Sequence, residues 1–305
     1  MRRYRFYQLD VFTSTPLSGN PLAVFPEPEG LDAPTMQALA REMNLSETTF
    51  VFPSSVATRH VRFFTPAAEI PLAGHPTIGT WWLLCELGAL PGLPRAGTVR
   101  LTQQTGRGVL PVDVTLAGGR PVDVTMTQAL PEFGAAIADL DALGAAIGAD
   151  RHAIADAPPP EVVSTALPQL MVPLRSRDAL TRLPSGGAGA ALTALLRRSG
   201  TDCAMLYALT GGGEVTAHCR MFAPGLGVTE DPATGSAAGA LGAHLVRHGR
   251  VQPASGIALM TFDQGQEIGR PSRIRVAVAV DVTGAISGVQ VGGAAVRVIE
   301  GDVTI

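Results

Sequence analysis

Arg62-Phe63-Phe64-Thr65-Pro66, followed by Glu69 and by Pro71-Leu72-Ala73-Gly74-His75, recurs about 160 residues later as Arg220-Met221-Phe222-Ala223-Pro224, then Glu230-Asp231, then Pro232-Ala233-Thr234-Gly235-Ser236. Each copy enters an apolar segment that stops at a glycine, Gly88 or Gly249, 14 residues beyond Gly74 or Gly235. Arg-x-Phe-x-Pro alternates as a strand does, Pro-x-x-Gly reads as a turn, and the glycine-terminated segment reads as a helix. Each half therefore predicts strand, turn and buried helix. A helix start presents unpaired N–H groups and the positive end of a dipole, which together favour an anion such as a carboxylate. Gly74 and Gly235 allow close backbone approach at those starts. His75 and Ser236 are then equivalent polar side chains, expected to face each other across a cleft. A duplicated fold with two ordinary helix caps accounts for the repeat as well at this point.

Outward from the repeat, 305 residues is long for one domain and suits two of about 150. Apolar residues make up 46% and charged residues 16%, the composition of a globular protein with ample core. The net charge of -3 and the lack of a basic stripe argue against a nucleic-acid partner. No run approaches the ~20 apolar residues of a membrane span. Met1-Arg2-Arg3-Tyr4-Arg5-Phe6-Tyr7 leads into an alternating strand rather than the apolar stretch of a secretory signal. Cys85, Cys203 and Cys219 are read as reduced core thiols, and a cytoplasmic setting is expected. His60, His152 and His218 are scattered. His244 and His248 are four apart but have no carboxylate between or beside them in sequence, so no metal site is expected there.

Tyr4 to Phe12 and Ala23 to Phe25 read as strands joined through Ser18-Gly19-Asn20-Pro21, and Pro34 to Met43 as an amphipathic helix ended by Asn44. Ser46 to Phe52 restarts as a strand, which puts Glu47 where helix gives way to strand. The segment Ile78 to Cys85 is apolar on nearly every face and must be enclosed on all sides. Strands near 98–104, 108–115 and 121–127 make a curled sheet around that helix the economical arrangement. Residues 129–160 are alanine-rich, with a short helix at Leu140 to Ile147 and Pro158-Pro159-Pro160 at the end. Strands near 161–173, a helix at Ala190 to Arg198, strands at 202–209 and 214–222, the second repeat helix and strands near 256–263 and 272–280 follow. The predicted fold is α+β: two pseudo-symmetric domains, 1–127 and 128–284, each a curled, mostly antiparallel, barrel-like sheet around a central helix. A strand within 285–305, read at Gly292 to Ile299, is expected to complete the first domain.

Gly19-Asn20-Pro21-Leu22-Ala23-Val24, Asn44-Leu45-Ser46-Glu47-Thr48, Gly74-His75-Pro76-Thr77, Glu230 to Ala237 and Gln264 to Ser272 resemble, in order and spacing, the signature stretches of the PhzF-like phenazine-biosynthesis family. The resemblance covers nearly the whole chain. It implies the diaminopimelate epimerase-like fold, with the active site in the interdomain cleft, a homodimer, and an isomerase without cofactor similar to those acting on trans-2,3-dihydro-3-hydroxyanthranilate. The residue matching the family's proton carrier is Glu47. Those matching its substrate-binding groups are His75, Asp231 and Ser236; Gly74, Thr234 and Gly235 are further substrate-binding candidates, and Ser236 and Gly235 are expected to offer main-chain donors to a carboxylate. Racemases of this fold carry cysteines where this chain has Ala73 and Thr234, so two-cysteine racemisation is not expected.

A carboxylate in an enclosed cleft has its pKa raised by desolvation, so one glutamate can take a proton and return it. The plainer alternatives stay open for each residue: a surface carboxylate at a helix-to-strand junction for Glu47, local packing for His75, helix capping for Asp231, helix initiation for Ser236, and a surface turn for Gln264 and Arg270. At the level of function, a non-catalytic protein binding small carboxylates and an epimerase on the same scaffold are the alternatives to the isomerase.

Overall fold

Asp32 accepts from Thr35 N at 2.9 Å and so caps α1 (Ala33–Met43), which buries Met36, Leu39 and Ala40 against Phe25, Phe50 and Phe64. Asn44 ends that helix in the left-handed conformation (φ 51°), and after two residues the chain is already a strand. The computed structural model describes residues 1–305 and is α+β, with two units: Met1–Thr127 together with Gly292–Ile305, and Gln128–Val291.

In the first unit the strands are β1 (Arg3–Val11), β2 (Asn20–Phe25), β3 (Glu47–Phe52), β4 (Arg59–Phe64), β5 (Glu69–Ile70), β6 (Gly97–Thr105), β7 (Gly108–Ala117) and β8 (Arg120–Gln128), and the second helix is α2 (Gly74–Glu86). The second unit contains β9 (Glu132–Ala136), α3 (Leu140–Ile147), β10 (Glu161–Ser164), β11 (Pro168–Leu174), α4 (Arg177–Thr181), α5 (Ala190–Arg198), β12 (Ala204–Leu209), β13 (Ala217–Ala223), β14 (Val228–Asp231), α6 (Gly235–Arg247), β15 (Ile257–Gln264) and β16 (Ser272–Val280), with β17 (Ile286–Gly293) after them. The last strand, β18 (Ala295–Thr304), lies antiparallel to β1.

The two sheets share one pairing plan. In the first, β1 runs antiparallel to β2, β2 parallel to β3, β3 antiparallel to β4, β4 parallel to β6, and β6 antiparallel to β7. In the second, β10, β11, β12, β13, β15 and β16 follow in the same order with the same directions, and β14 lies against β13 as β5 lies against β4. The sheet curls around its helix in each unit: α2 packs on β1, β2, β3, β7 and β18, and α6 on β10, β11, β15 and β16.

Enclosure explains the composition of both helices. Residues 75 to 81 of α2 are all buried, and the polar groups of Thr80 and Trp81 are matched: Trp81 Nε1 donates to Gln103 Oε1 at 2.9 Å, and the hydroxyls of Thr49 and Thr80 meet at 2.8 Å. A Cβ on Gly79 would lie 2.7 Å from both Leu22 and Val11, so this face accepts only glycine without repacking. In α6 the sheet closes still tighter, and a Cβ on Gly242 would come within 2.6 Å of Val276. The short strands β5, β9 and β14 and the single turn of α4 have no signal in the sequence, because so few residues carry no period.

The arginine and glutamate of the repeat make the same fork twice. Arg62 donates from Nε and Nη2 to the two oxygens of Glu69 at 2.7 Å each, and Arg220 does the same to Glu230 at 2.8 and 2.7 Å. The first fork is 24% and 42% exposed at its two side chains, whereas the second is 2% exposed at both. Arg220 also donates to the carbonyls of Leu180 and Leu183, at 3.1 and 2.6 Å. Removing one partner of a buried pair strands the other charge, whereas an exposed pair contributes little. In urea unfolding, Arg220→Met is expected to cost about 3–5 kcal/mol and Arg62→Met about 1 kcal/mol or less. Equal losses would show that the fork matters for its geometry and not for its burial.

Candidate active site

Glu47 is the first residue of β3 and lies in parallel register with Leu22 of β2. Side chains alternate along a strand, so Glu47 and Thr49 point the same way, and Thr49 is bound to Thr80 of α2. The same face therefore carries Glu47 to the beginning of α2, where its Oε2 stands 3.4 Å from Nε2 of His75.

The ring of His75 is 7% exposed, and burial lowers its pKa from 6.5 to about 3, partly offset by a hydrogen bond to the backbone of Pro21. Proline has no N–H, so this bond must run from a ring N–H to the Pro21 carbonyl. Nε2 makes no hydrogen bond of its own, which assigns the proton to Nδ1 and leaves the unprotonated Nε2 beside Glu47. Gly19 makes this arrangement possible: at φ +62° a Cβ would lie 2.2 Å from the Val11 carbonyl oxygen, so only glycine lets the chain turn tightly into Asn20 and Pro21. Gly74 is the first residue of α2, and its N-cap, Ala73, has no side chain to cap the helix.

In the second unit Gly235 and Ser236 open α6, and the N-cap is Thr234 rather than Asp231. The Thr234 hydroxyl does not cap the helix, because it donates in a short contact to the carboxylate of Asp231 and accepts from Gln264 Nε2 at 3.1 Å. Gln264 also donates to the Asp231 carbonyl at 2.7 Å and accepts from Thr234 N at 3.3 Å. It is buried and holds the Asp231–Thr234 turn as a clamp. Gly265 and Ser272 press the following loop onto the same turn; a Cβ on Gly265 would lie 2.6 Å from the Pro232 carbonyl oxygen, to which Ser272 donates at 2.9 Å. Arg270 is half-buried in that loop. Gln128 donates to the Gly235 carbonyl at 3.0 Å and accepts from Thr165 at 2.7 Å. Both helix starts thus keep their first N–H groups clear of their own N-cap side chains.

Strand register shows where the copies part. Thr48 pairs with Phe64, and Ala204 with Phe222, the repeat partner of Phe64. The residue preceding Ala204, Cys203, therefore stands where Glu47 stands in the first unit. Pro21, Gln264, Gln128 and Thr165 carry roles that sequence reading left unassigned; for Pro21 and Gln264 the motif runs around them were the available signal. A concavity of about 440 Å³ in the second unit, lined by Phe133, Arg247 and Ile286 among others, contains none of these residues.

One sequence expectation needs correction. His244 and His248 do have a carboxylate beside them: Glu161 of β10, 83 residues before His244, places Oε1 2.8 Å from His244 Nδ1 and 2.7 Å from His248 Nε2. The strand-to-helix packing of β10 on α6 brings it there, which no local spacing encodes.

A glutamate and a neutral histidine thus meet at a helix start on a twice-built α+β frame. The chain belongs to the PhzC-PhzF family of phenazine biosynthesis-like proteins, whose model matches residues 9–301. It is 36% identical over 300 residues to the trans-2,3-dihydro-3-hydroxyanthranilate isomerase of Pseudomonas aeruginosa, covering 98% of each chain. A protein of Mesorhizobium japonicum named as an uncharacterized isomerase is 37% identical over 312 residues, covering 100% of this chain and 99% of that one. The PhzF-family phenazine biosynthesis protein of Bacillus anthracis superposes over 100% of both chains with a TM-score of 0.90 at 29% identity. No helix is long and apolar enough to cross a membrane.

The state of His75 has a consequence for stability. Between pH 6.5 and about 3 the unfolded chain takes up a proton at this ring that the folded chain refuses. Stability from this group is therefore complete above the ordinary pKa and falls as pH drops through that window, by up to about 1.4 kcal/mol per pH unit. Urea midpoints measured from pH 7 to pH 4 should fall more steeply for wild type than for His75→Gln. Parallel curves would mean that the ring is protonated in the folded protein.

Proposed function

We propose that the protein is a cofactor-free isomerase that moves a proton between carbons of a small cyclic substrate bearing a carboxylate, with Glu47 as base and then acid. The observation that carries this reading is the 3.4 Å approach of Glu47 to the unprotonated Nε2 of a buried, neutral His75. Ionised Glu47 removes a proton from an sp³ carbon, and the electron pair moves into the adjoining unsaturated system. The protonated carboxyl, facing the Nε2 lone pair, then returns the proton to a second carbon. His75 remains neutral throughout and serves as an acceptor toward the acid or a donor group of the substrate.

Gly74 and His75 of the first unit and Asp231, Thr234, Gly235 and Ser236 of the second are the proposed substrate-binding groups. Main-chain N–H groups at a helix start suit the carboxylate. The hydrogen bond from Thr234 to Asp231 holds that carboxylate in place, and a carboxylate suits a substrate amine or hydroxyl as acceptor.

Two further observations favour one carrier over a two-thiol racemase. Ala73 and Thr234 stand at the positions of the racemase cysteines, and all three thiols of the chain are buried and unpaired. Burial pushes Cys85 to about 11 and Cys203 to about 12, so neither supplies a thiolate near neutral pH. Cys203 in the place of Glu47 also leaves the second unit without a matching base, as a single residue acting twice requires.

The substrate class follows the relatives named trans-2,3-dihydro-3-hydroxyanthranilate isomerase. Incubation with that compound in deuterium oxide is expected to place deuterium on a ring carbon, with Glu47→Gln slower by about 10²–10⁴-fold. Equal incorporation by the two proteins would remove Glu47 from the reaction. Ser236→Ala is expected to raise KM more than it lowers kcat.

A further inference from the structure

We propose that Glu161, His244 and His248 form a binding site for one divalent transition-metal ion of the Zn²⁺ type. His244 lies in the last turn of α6 and His248 is its C-cap residue, so the two rings, four residues apart, project from one face. Glu161 opens β10 and meets both through a single oxygen, and the three ligand atoms lie within 4.8 Å of one another. Two imidazoles and a carboxylate are the donors that Zn²⁺ and Co²⁺ take, and Mg²⁺ and Ca²⁺ prefer oxygen alone. Ligand atoms around tetrahedral Zn²⁺ lie ~3.3 Å apart, within side-chain rotation of the present spacing.

An outer partner is in place as well. Tyr207 Oη is 3.0 Å from Nε2 of His244, so a ring bound to metal through Nδ1 can donate its remaining proton to that oxygen. Glu161 and His244 are buried, and the His248 side chain is 23% exposed, which gives an ion a way in.

The repeat shows that the fold does not need these groups. Counting from Gly74 and Gly235, His244 corresponds to Leu83 and His248 to Leu87. Val51 pairs with Val61 and Tyr207 with Cys219, its repeat counterpart, so Tyr207 corresponds to Val51. One strand further, Val24 and Met171 are equivalent, and Tyr7 opposite Val24 corresponds to Glu161 opposite Met171. The first unit builds the same sheet and helix with Tyr7, Val51, Leu83 and Leu87. Burying a carboxylate and an imidazole instead costs desolvation, which a ligand offsets.

The test is isothermal titration of chelator-treated, dialysed full-length protein with Zn²⁺ alone, with Mg²⁺ as control. One equivalent of Zn²⁺ per chain is expected, with micromolar or tighter affinity and no displacement by excess Mg²⁺. His248→Ala and His248→Gln, both checked for folding by circular dichroism, should bind at least about 100-fold more weakly, and Tyr207→Phe about 10–100-fold more weakly. Co²⁺ should give visible ligand-field absorption in wild type and not in the His248 variants. No uptake by wild type, unchanged uptake by folded His248 variants, or displacement by Mg²⁺ would each overturn the site.

Discussion

The contact on which the first half depends is the buried meeting of Thr49 and Thr80. It sets β3 against α2 in one register, and strand alternation then fixes the side on which Glu47 emerges. Two residues back along the strand, the same face carries Glu47, which meets His75 five residues back along the helix. A slip of one residue would turn Glu47 to the other face of the sheet and leave His75 opposite a different side chain. Asn44 and Gly19 serve this alignment from either side, Asn44 by ending α1 in a left-handed step just before β3, and Gly19 by turning the chain so that the Pro21 carbonyl reaches the ring.

Duplication gives the protein two copies of one frame and lets each hold different chemistry. The Arg–Glu fork recurs atom for atom, wet in one unit and dry in the other. Glu47 is answered by Cys203, so the proposed proton carrier has no counterpart in the second copy. Tyr7, Val51, Leu83 and Leu87 are answered by Glu161, Tyr207, His244 and His248, so a polar cluster belongs only to the second. Matching strand partners position by position exposes these differences, because the pairing plan is the same in both units.

Much of the fold was legible because its signals are local. The duplicated Arg-x-Phe-x-Pro and Gly-to-Gly stretches predicted a buried helix in each half, and both helices run for 13 residues from the predicted glycines. The apolar faces of residues 78–85 announced a wrapped helix. Glu47 and His75 were legible as candidates through motif runs, but their contact was not, since it depends on the register of β3 against α2. Pro21 contributes a carbonyl, which no side-chain reading detects, and Gln264 acts through a turn 30 residues earlier. Glu161 was hidden for the same reason: its partners lie 83 and 87 residues away, joined only by packing.

The central claim is that His75 is neutral, carries its proton on Nδ1, and offers Nε2 to Glu47. Long-range proton–nitrogen correlation spectra of ¹⁵N-histidine-labelled protein read both nitrogens directly. The account predicts one protonated nitrogen at Nδ1 and one bare nitrogen at Nε2, with neither resonance moving between about pH 5 and 8. A His75 ring that titrates within that range, or that carries its proton on Nε2, would contradict it.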